Sequence, residues 1–154
     1  MSEINKILDN LRRQCSRREY CTSDVLKKAE KALEGDTEKA RQIVSTLVED
    51  RYVDDLRYAS AYAREKSAIS GWGEVKIRYM LSAKGISRDL ISQALEEVDI
   101  QRADNRLVKR LENKYRALRE DPQCRLKLLR FALGRGYSYD EVSGHIDALM
   151  KEDK

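Results

Sequence analysis

Apolar residues return along this chain at spacings of three and four, the period of a helix with one buried face. Ile4, Ile7, Leu8 and Leu11 predict a first helix over residues 3 to 19. A second is capped by Thr22 or Ser23 and runs to about Glu34. A third starts at Thr37, buries Ala40, Ile43, Val44 and Leu47, and ends around Asp50. Asp54 or Asp55 then caps a helix that Gly71 and Gly73, on either side of Trp72, break. The chain passes into a helix closed by Gly85 and another capped by Ser87. From about Ile100 to Glu120, Ala103, Leu107, Leu111, Tyr115 and Leu118 form one apolar stripe. Pro122 suits the first turn of the next helix, with Asp121 as its cap. A last helix from Ser138 buries Val142, Ile146 and Leu149.

The punctuation is periodic. Gly35, Gly85 and Gly136 stand 50 and 51 residues apart, each followed two positions later by a hydroxyl residue, Thr37, Ser87 or Ser138. A glycine stop followed at once by a new N-cap explains that offset. Val75, Ile77 and Met80 before the second glycine fall opposite Leu126, Leu128 and Phe131 before the third; Asp89, Ile91 and Leu95 fall opposite Asp140, Val142 and Ile146. The first copy matches mainly at Val25, Ala40 and Val44. Such a period is the signature of a repeat array. The expectation is an all-α, elongated and curved chain of three tandem three-helix repeats, residues 1–53, 54–99 and 100–154. One proline and seven glycines leave little room for the turns of a β protein.

Composition changes this picture in two places. Among 154 residues the three cysteines, Cys15 and Cys21 close together and Cys124 remote, fit neither a metal-ligand spacing nor a disulfide framework, so they read as reduced thiols. No apolar run approaches membrane-spanning length and the first residues do not read as a signal peptide, which predicts a soluble, cytoplasmic protein. The net charge is only +4, but residues 101 to 135 hold eleven Lys and Arg against four Asp and Glu, while residues 36 to 55 are net acidic.

That basic segment is the main candidate for function. Arg102, Arg106, Lys109, Arg110 and Arg116 lie along the long helix, and Arg125 and Lys127 extend the surface. It reads either as a solvated face or as one that meets phosphate or an acidic protein. Arg12, Arg13, Arg17 and Arg18 gather near the end of the first helix, where they serve the helix dipole or form an anion-binding corner. The Asp54–Asp55 pair lacks a third carboxylate, histidine or nucleophile at a useful offset, and helix capping accounts for it. His145 is remote from it and suits a partly buried helix position. Trp72, held at a turn, either packs over the next helix or anchors a partner. Phosphate-binding loops, nucleophile elbows and zinc-protease motifs do not occur, so the reading is a non-enzyme without cofactor or metal that works by binding.

The run Arg51-Tyr52-Val53-Asp54-Asp55-Leu56 resembles the aromatic, apolar, Asp-Asp segment that marks the RecX family of bacterial recombinase regulators. Gly71-Trp72-Gly73 with Ile77, Leu81, Lys84, Gly85 and Ile86 continues the likeness. Arg51 stands where the family commonly has glycine, and Trp72 sits inside the Gly-x-Gly turn. The resemblance implies Tyr52, Asp54, Asp55, Gly71, Trp72, Gly73 and Gly85 as structural motif residues. It also implies a monomer whose partners are the RecA filament and single-stranded DNA, with weak duplex binding and no membrane. The expected activity is to lie in the filament groove and modulate, mainly inhibit, ATPase, strand exchange and filament extension. The alternative is a sequence-specific DNA-binding regulator built from helix-turn-helix-like units; a nuclease lacks a carboxylate constellation.

Overall fold

Every helix of the chain needs partners for its first N–H groups, and the sequence supplies them one by one. In the computed structural model, which describes residues 2–152, the described residues form nine α-helices and no strand: α1 (Glu3–Arg17), α2 (Thr22–Ala32), α3 (Thr37–Glu49), α4 (Asp55–Glu65), α5 (Glu74–Ala83), α6 (Arg88–Leu95), α7 (Ile100–Leu118), α8 (Cys124–Gly134) and α9 (Tyr139–Glu152). The outermost residues of the first and third expected repeats, 1 and 153–154, lie outside the described residues. Among the described residues no helix is long and apolar enough to cross a membrane.

The caps fall close to expectation, with three corrections. Asp54 Oδ1 accepts from the Arg57 amide at 3.0 Å, Ser87 Oγ from Leu90 at 3.3 Å, and Ser138 Oγ from Glu141 at 3.3 Å. The cap of α3 is Asp36, which accepts from Lys39 at 3.2 Å, because a carboxylate one residue earlier displaces the Thr37 hydroxyl. Neither Thr22 nor Ser23 caps α2: its N-cap position is Cys21, without a side-chain hydrogen bond. Asp121 accepts from Gln123 at 2.8 Å and braces a turn, so Pro122 precedes α8 rather than starting it.

All three periodic glycines have left-handed backbone, φ +91° at Gly35, +79° at Gly85 and +95° at Gly136. A fourth, Gly71, ends a π-helical turn, Lys66–Ser70, that continues α4 and has no sequence signature of its own. Arg51 adopts φ +63° after α3, so a residue with a side chain takes the left-handed position that ends this helix.

By spatial contact the chain resolves into two compact units, Met1–Tyr62 with Leu81–Ala94, and Ala63–Met80 with Leu95–Lys154. The middle repeat is thus shared between them. In the first unit Leu11, Val25, Ala29, Ile43 and Leu47 build the core, with Tyr52 packed at its edge. In the second, Leu107, Leu111, Leu128, Val142 and Ile146 do so, with Tyr115 and Leu149 alongside. The repeat register carries over into burial: Ile77 and Leu128 are both buried, as are Ile91 and Val142, whereas Val75 and Leu126 are both exposed.

Candidate interaction surfaces

The paired aspartates of the first unit serve two different helices. Asp54 caps α4, its own helix. Asp55 instead accepts from the Thr22 amide at 2.7 Å, supplying α2 with the cap that Cys21 does not give. Beside it the Ser23 hydroxyl donates to the Lys84 carbonyl at 2.6 Å, and Lys84 Nζ lies 2.9 Å from Asp24 Oδ1. The N-terminus of α2 is therefore latched by side chains to the loop that Gly85 closes. Burial alone would raise the Asp24 carboxyl, but hydrogen bonds from Lys84 and the Cys21 thiol, with the Lys84 charge, hold it below the ordinary range. The Asp24 hydrogen bond raises Lys84. Tyr52 is half-buried under the Arg12 guanidinium, 5.9 Å from its ring centroid.

In the second unit the equivalent position is occupied by glycines. Gly73 and Gly136 lie 51 residues beyond Thr22 and Gly85. The Gly73 amide donates to the Arg135 carbonyl at 2.8 Å and the Val75 amide to the Gly136 carbonyl at 2.9 Å, so the start of α5 is capped by backbone. A Cβ on Gly73 would lie 2.5 Å from the Gly136 oxygen, and one on Gly136 would lie 2.8 Å from the Lys76 amide nitrogen. Trp72 is half-buried here, with the ammonium groups of Lys76 and Lys66 4.4 and 4.9 Å from its ring centroid. Lysines six residues before and four after the tryptophan were the only sequence signal for this arrangement.

Three arginines close the π-helical turn. Arg106 Nη1 donates to the Ser67 carbonyl at 2.9 Å, Arg135 Nη1 to Ser70 at 2.8 Å, and Arg110 Nη1 to Ser70 at 3.4 Å. They supply cations and donors where a helix end leaves carbonyls unpartnered. The Arg110 guanidinium fills the space a side chain at Gly71 would need. Of the expected basic face, Arg106 and Arg110 are therefore half-buried and engaged with carbonyls of their own unit. Arg102, Lys109 and Arg116 are exposed on α7; Arg102 lies 3.7 Å from Asp99 and Arg116 3.3 Å from Asn113. Arg125 pairs with Asp147 at 3.0 Å and reaches the Tyr139 hydroxyl, which raise its already high pKa, and Lys127 pairs with Asp121.

In the first unit Arg12 is tied to Asp9 and Asp50, and Arg18 lies over the Tyr20 ring at 4.6 Å, while Arg13 and Arg17 are exposed. The described residues bring no three His, Cys, Asp or Glu side chains together as a metal-binding group. The three cysteines are free thiols, each buried and pushed above its ordinary pKa by that burial, the opposite of an activated nucleophile. His145 is half-buried, with Nε2 3.0 Å from Asp104 Oδ1.

Known proteins resemble this chain in part of its sequence and in its fold. Residues 54–95 match the family model described as RecX, second three-helix domain. The "Regulatory protein RecX" of Clostridium perfringens (strain 13 / Type A) is 35% identical over 118 residues, 74% of this chain and 54% of the relative. That of Clostridium tetani (strain Massachusetts / E88) is 28% identical over 122 residues, 77% of this chain and 56% of the relative. This chain thus spans little more than half the length of the relatives it matches. The crystal structure of RecX from Lactobacillus salivarius superposes with a TM-score of 0.77 at 22% identity, covering 97% of this chain and 96% of that one. A second crystal structure, of regulatory protein RecX, gives 0.78 at 23% identity over 94% of this chain and 72% of that one. At those identities the two structures speak for the fold.

Proposed function

We propose that this chain is a RecX-family protein and that it regulates the RecA recombinase by binding RecA filaments on single-stranded DNA in the cytoplasm. The observation that carries this reading is the family match, centred on the Asp54–Leu95 segment whose caps and glycines organise both units. The exposed cations of α7 supply the physics. Arg102, Lys109 and Arg116 are free of the carbonyl contacts that hold Arg106 and Arg110, so they are the residues we assign to the filament, and to them we add Arg125 and Lys127 of α8, each paired with an aspartate. Arg13 and Arg17 form a second cationic group on α1.

In this reading the protein acts by occupancy, as a monomer and without chemistry of its own. Lodged in the filament groove and bridging neighbouring RecA subunits, it hinders the subunit movements coupled to ATP hydrolysis and obstructs the incoming duplex. The outputs are lower ATPase, less strand exchange and shorter filament extension.

The test is a RecA ATPase assay on single-stranded DNA with the purified chain added. Inhibition at well below one molecule per RecA subunit is expected; no effect at stoichiometric amounts overturns the proposal. Reversing Arg102, Lys109 and Arg116 to Glu should weaken binding to RecA-coated strands and flatten its salt dependence, because fewer counterions are released. Its melting temperature should barely move, since exposed charges contribute little to folding. Binding to bare duplex DNA that depends on base sequence would favour a DNA-binding regulator instead.

A further inference from the structure

The second unit contains a cavity of about 500 Å³ that borders the Gly73 contact and is lined by none of the cations of the proposed basic face. Its apolar wall is Trp72, Ile77, Val98, Ile100, Ala103 and Tyr137. Ile77 and Tyr137 are buried and form its floor, while Ile100 is 78% exposed at the first turn of α7 and marks the mouth. A large aliphatic side chain left so open beside a preformed apolar hollow is the arrangement of an anchor pocket, which a partner fills with one bulky side chain.

The polar lining decides what kind of partner. Glu74, Asp104 and Glu141 contribute three carboxylates, and no Lys or Arg lines the cavity. Glu74 lies 2.8 Å from Arg78, Asp104 3.0 Å from His145, and Glu141 accepts from the Ser138 hydroxyl at 3.1 Å. The nearby guanidiniums of Arg106, Arg110 and Arg135 are turned to the carbonyls of Ser67 and Ser70. Lys66 and Lys76 lie against the Trp72 ring. An acidic rim repels phosphate and attracts cations, so nucleic acid is disfavoured here although it suits α7's outer face.

We infer that this cavity is a protein docking site, which takes a partner segment presenting one bulky apolar side chain with a Lys or Arg beside it. Resting on the proposed filament-binding role, it assigns that segment to the RecA subunit and separates protein recognition from the cationic surface.

Ile100 permits a clean test, because its exposure makes substitution there cheap to folding. Fluorescently labelled chain is titrated onto RecA-coated single-stranded DNA as parent, Ile100→Lys and Ile100→Glu. Ile100→Lys should weaken binding by about tenfold, as loss of an anchor contact with added charge repulsion does, and Ile100→Glu by less, because it keeps the attraction for a cation. In a second arm, position 100 carries p-benzoylphenylalanine, and the photo-crosslinked RecA peptide should hold a bulky apolar residue adjacent to Lys or Arg. Unchanged binding by Ile100→Lys, tighter binding by it, or a cross-link to DNA or to an acidic segment would each overturn the inference while leaving the filament reading intact. A parent that fails to bind the filament overturns both.

Discussion

The starts of α2 and α5 occupy equivalent places in the repeat and are fastened in opposite ways. At α2, in the first unit, the fastening is made by side chains: the Asp55 carboxylate to the Thr22 amide, the Ser23 hydroxyl to the Lys84 carbonyl, and the Asp24–Lys84 ion pair. At α5, in the second unit, backbone meets backbone: the Gly73 amide donates to the Arg135 carbonyl and the Val75 amide to the Gly136 carbonyl. One chain topology is thus satisfied by two chemistries. The first tolerates side chains and responds to pH. The second requires bare backbone, and its hydrogen bonds run from amide to carbonyl without a carboxylate partner.

The comparison breaks most visibly at its glycines. Gly136→Ala should cost about 3 kcal/mol, combining roughly 1 kcal/mol for left-handed backbone with 1–3 kcal/mol for overpacking against Lys76. Gly85→Ala should cost only about 1 kcal/mol, since nothing lies within 4 Å of the added Cβ. Urea unfolding of both variants reads the difference. Equal penalties would mean that close approach at Gly136 is relieved by movement of α5, and that the two fastenings are equally adaptable.

A smaller effect separates the arginines. Arg106→Ala and Arg135→Ala each remove a charged donor from a π-turn carbonyl and should lower stability by about 1–2 kcal/mol. Lys109→Ala, on the exposed side of the same helix as Arg106, should stay within about 0.5 kcal/mol. Thermal melts of the three variants check this. A neutral Arg106→Ala would return that residue to the cationic surface proposed to meet the filament.

These arginines also show where the sequence stops being informative. Helical period places Arg106 and Arg110 among the basic residues of α7, and it does so correctly. What it cannot register is that their guanidiniums reach carbonyls 39 and 40 residues earlier, in a π turn that period alone does not reveal. Local features were legible: the Asp54 cap, the left-handed glycines at their 50-residue period, the buried stripe of α7. Asp55 was not, because its partner Thr22 lies 33 residues away and a capping aspartate looks the same whichever helix it serves. The cavity went unseen for the same reason, since it gathers residues from Ser67 to Glu141.

The finest distinction between the two fastenings is their response to acid and base. Asp24 is depressed in the folded chain, so its contribution is present above the unfolded value of about 3.9 and is lost as the pH falls through the lower folded value. Lys84 is raised, so its contribution is present below about 10.4 and is lost as the pH climbs through the higher folded value. The latch at α2 therefore operates between roughly pH 4 and pH 10. Asp24→Asn should cost about 1 kcal/mol at neutral pH, in line with a partly exposed ion pair, and its urea midpoint should approach that of the parent as the medium is acidified below about pH 4. Arg135→Ala provides the contrast, because its guanidinium bonds a carbonyl that does not titrate, and its penalty should stay constant over the same range. If the Asp24→Asn gap also holds constant into acid, the Ser23 and Asp55 hydrogen bonds fasten α2 without help from the ion pair.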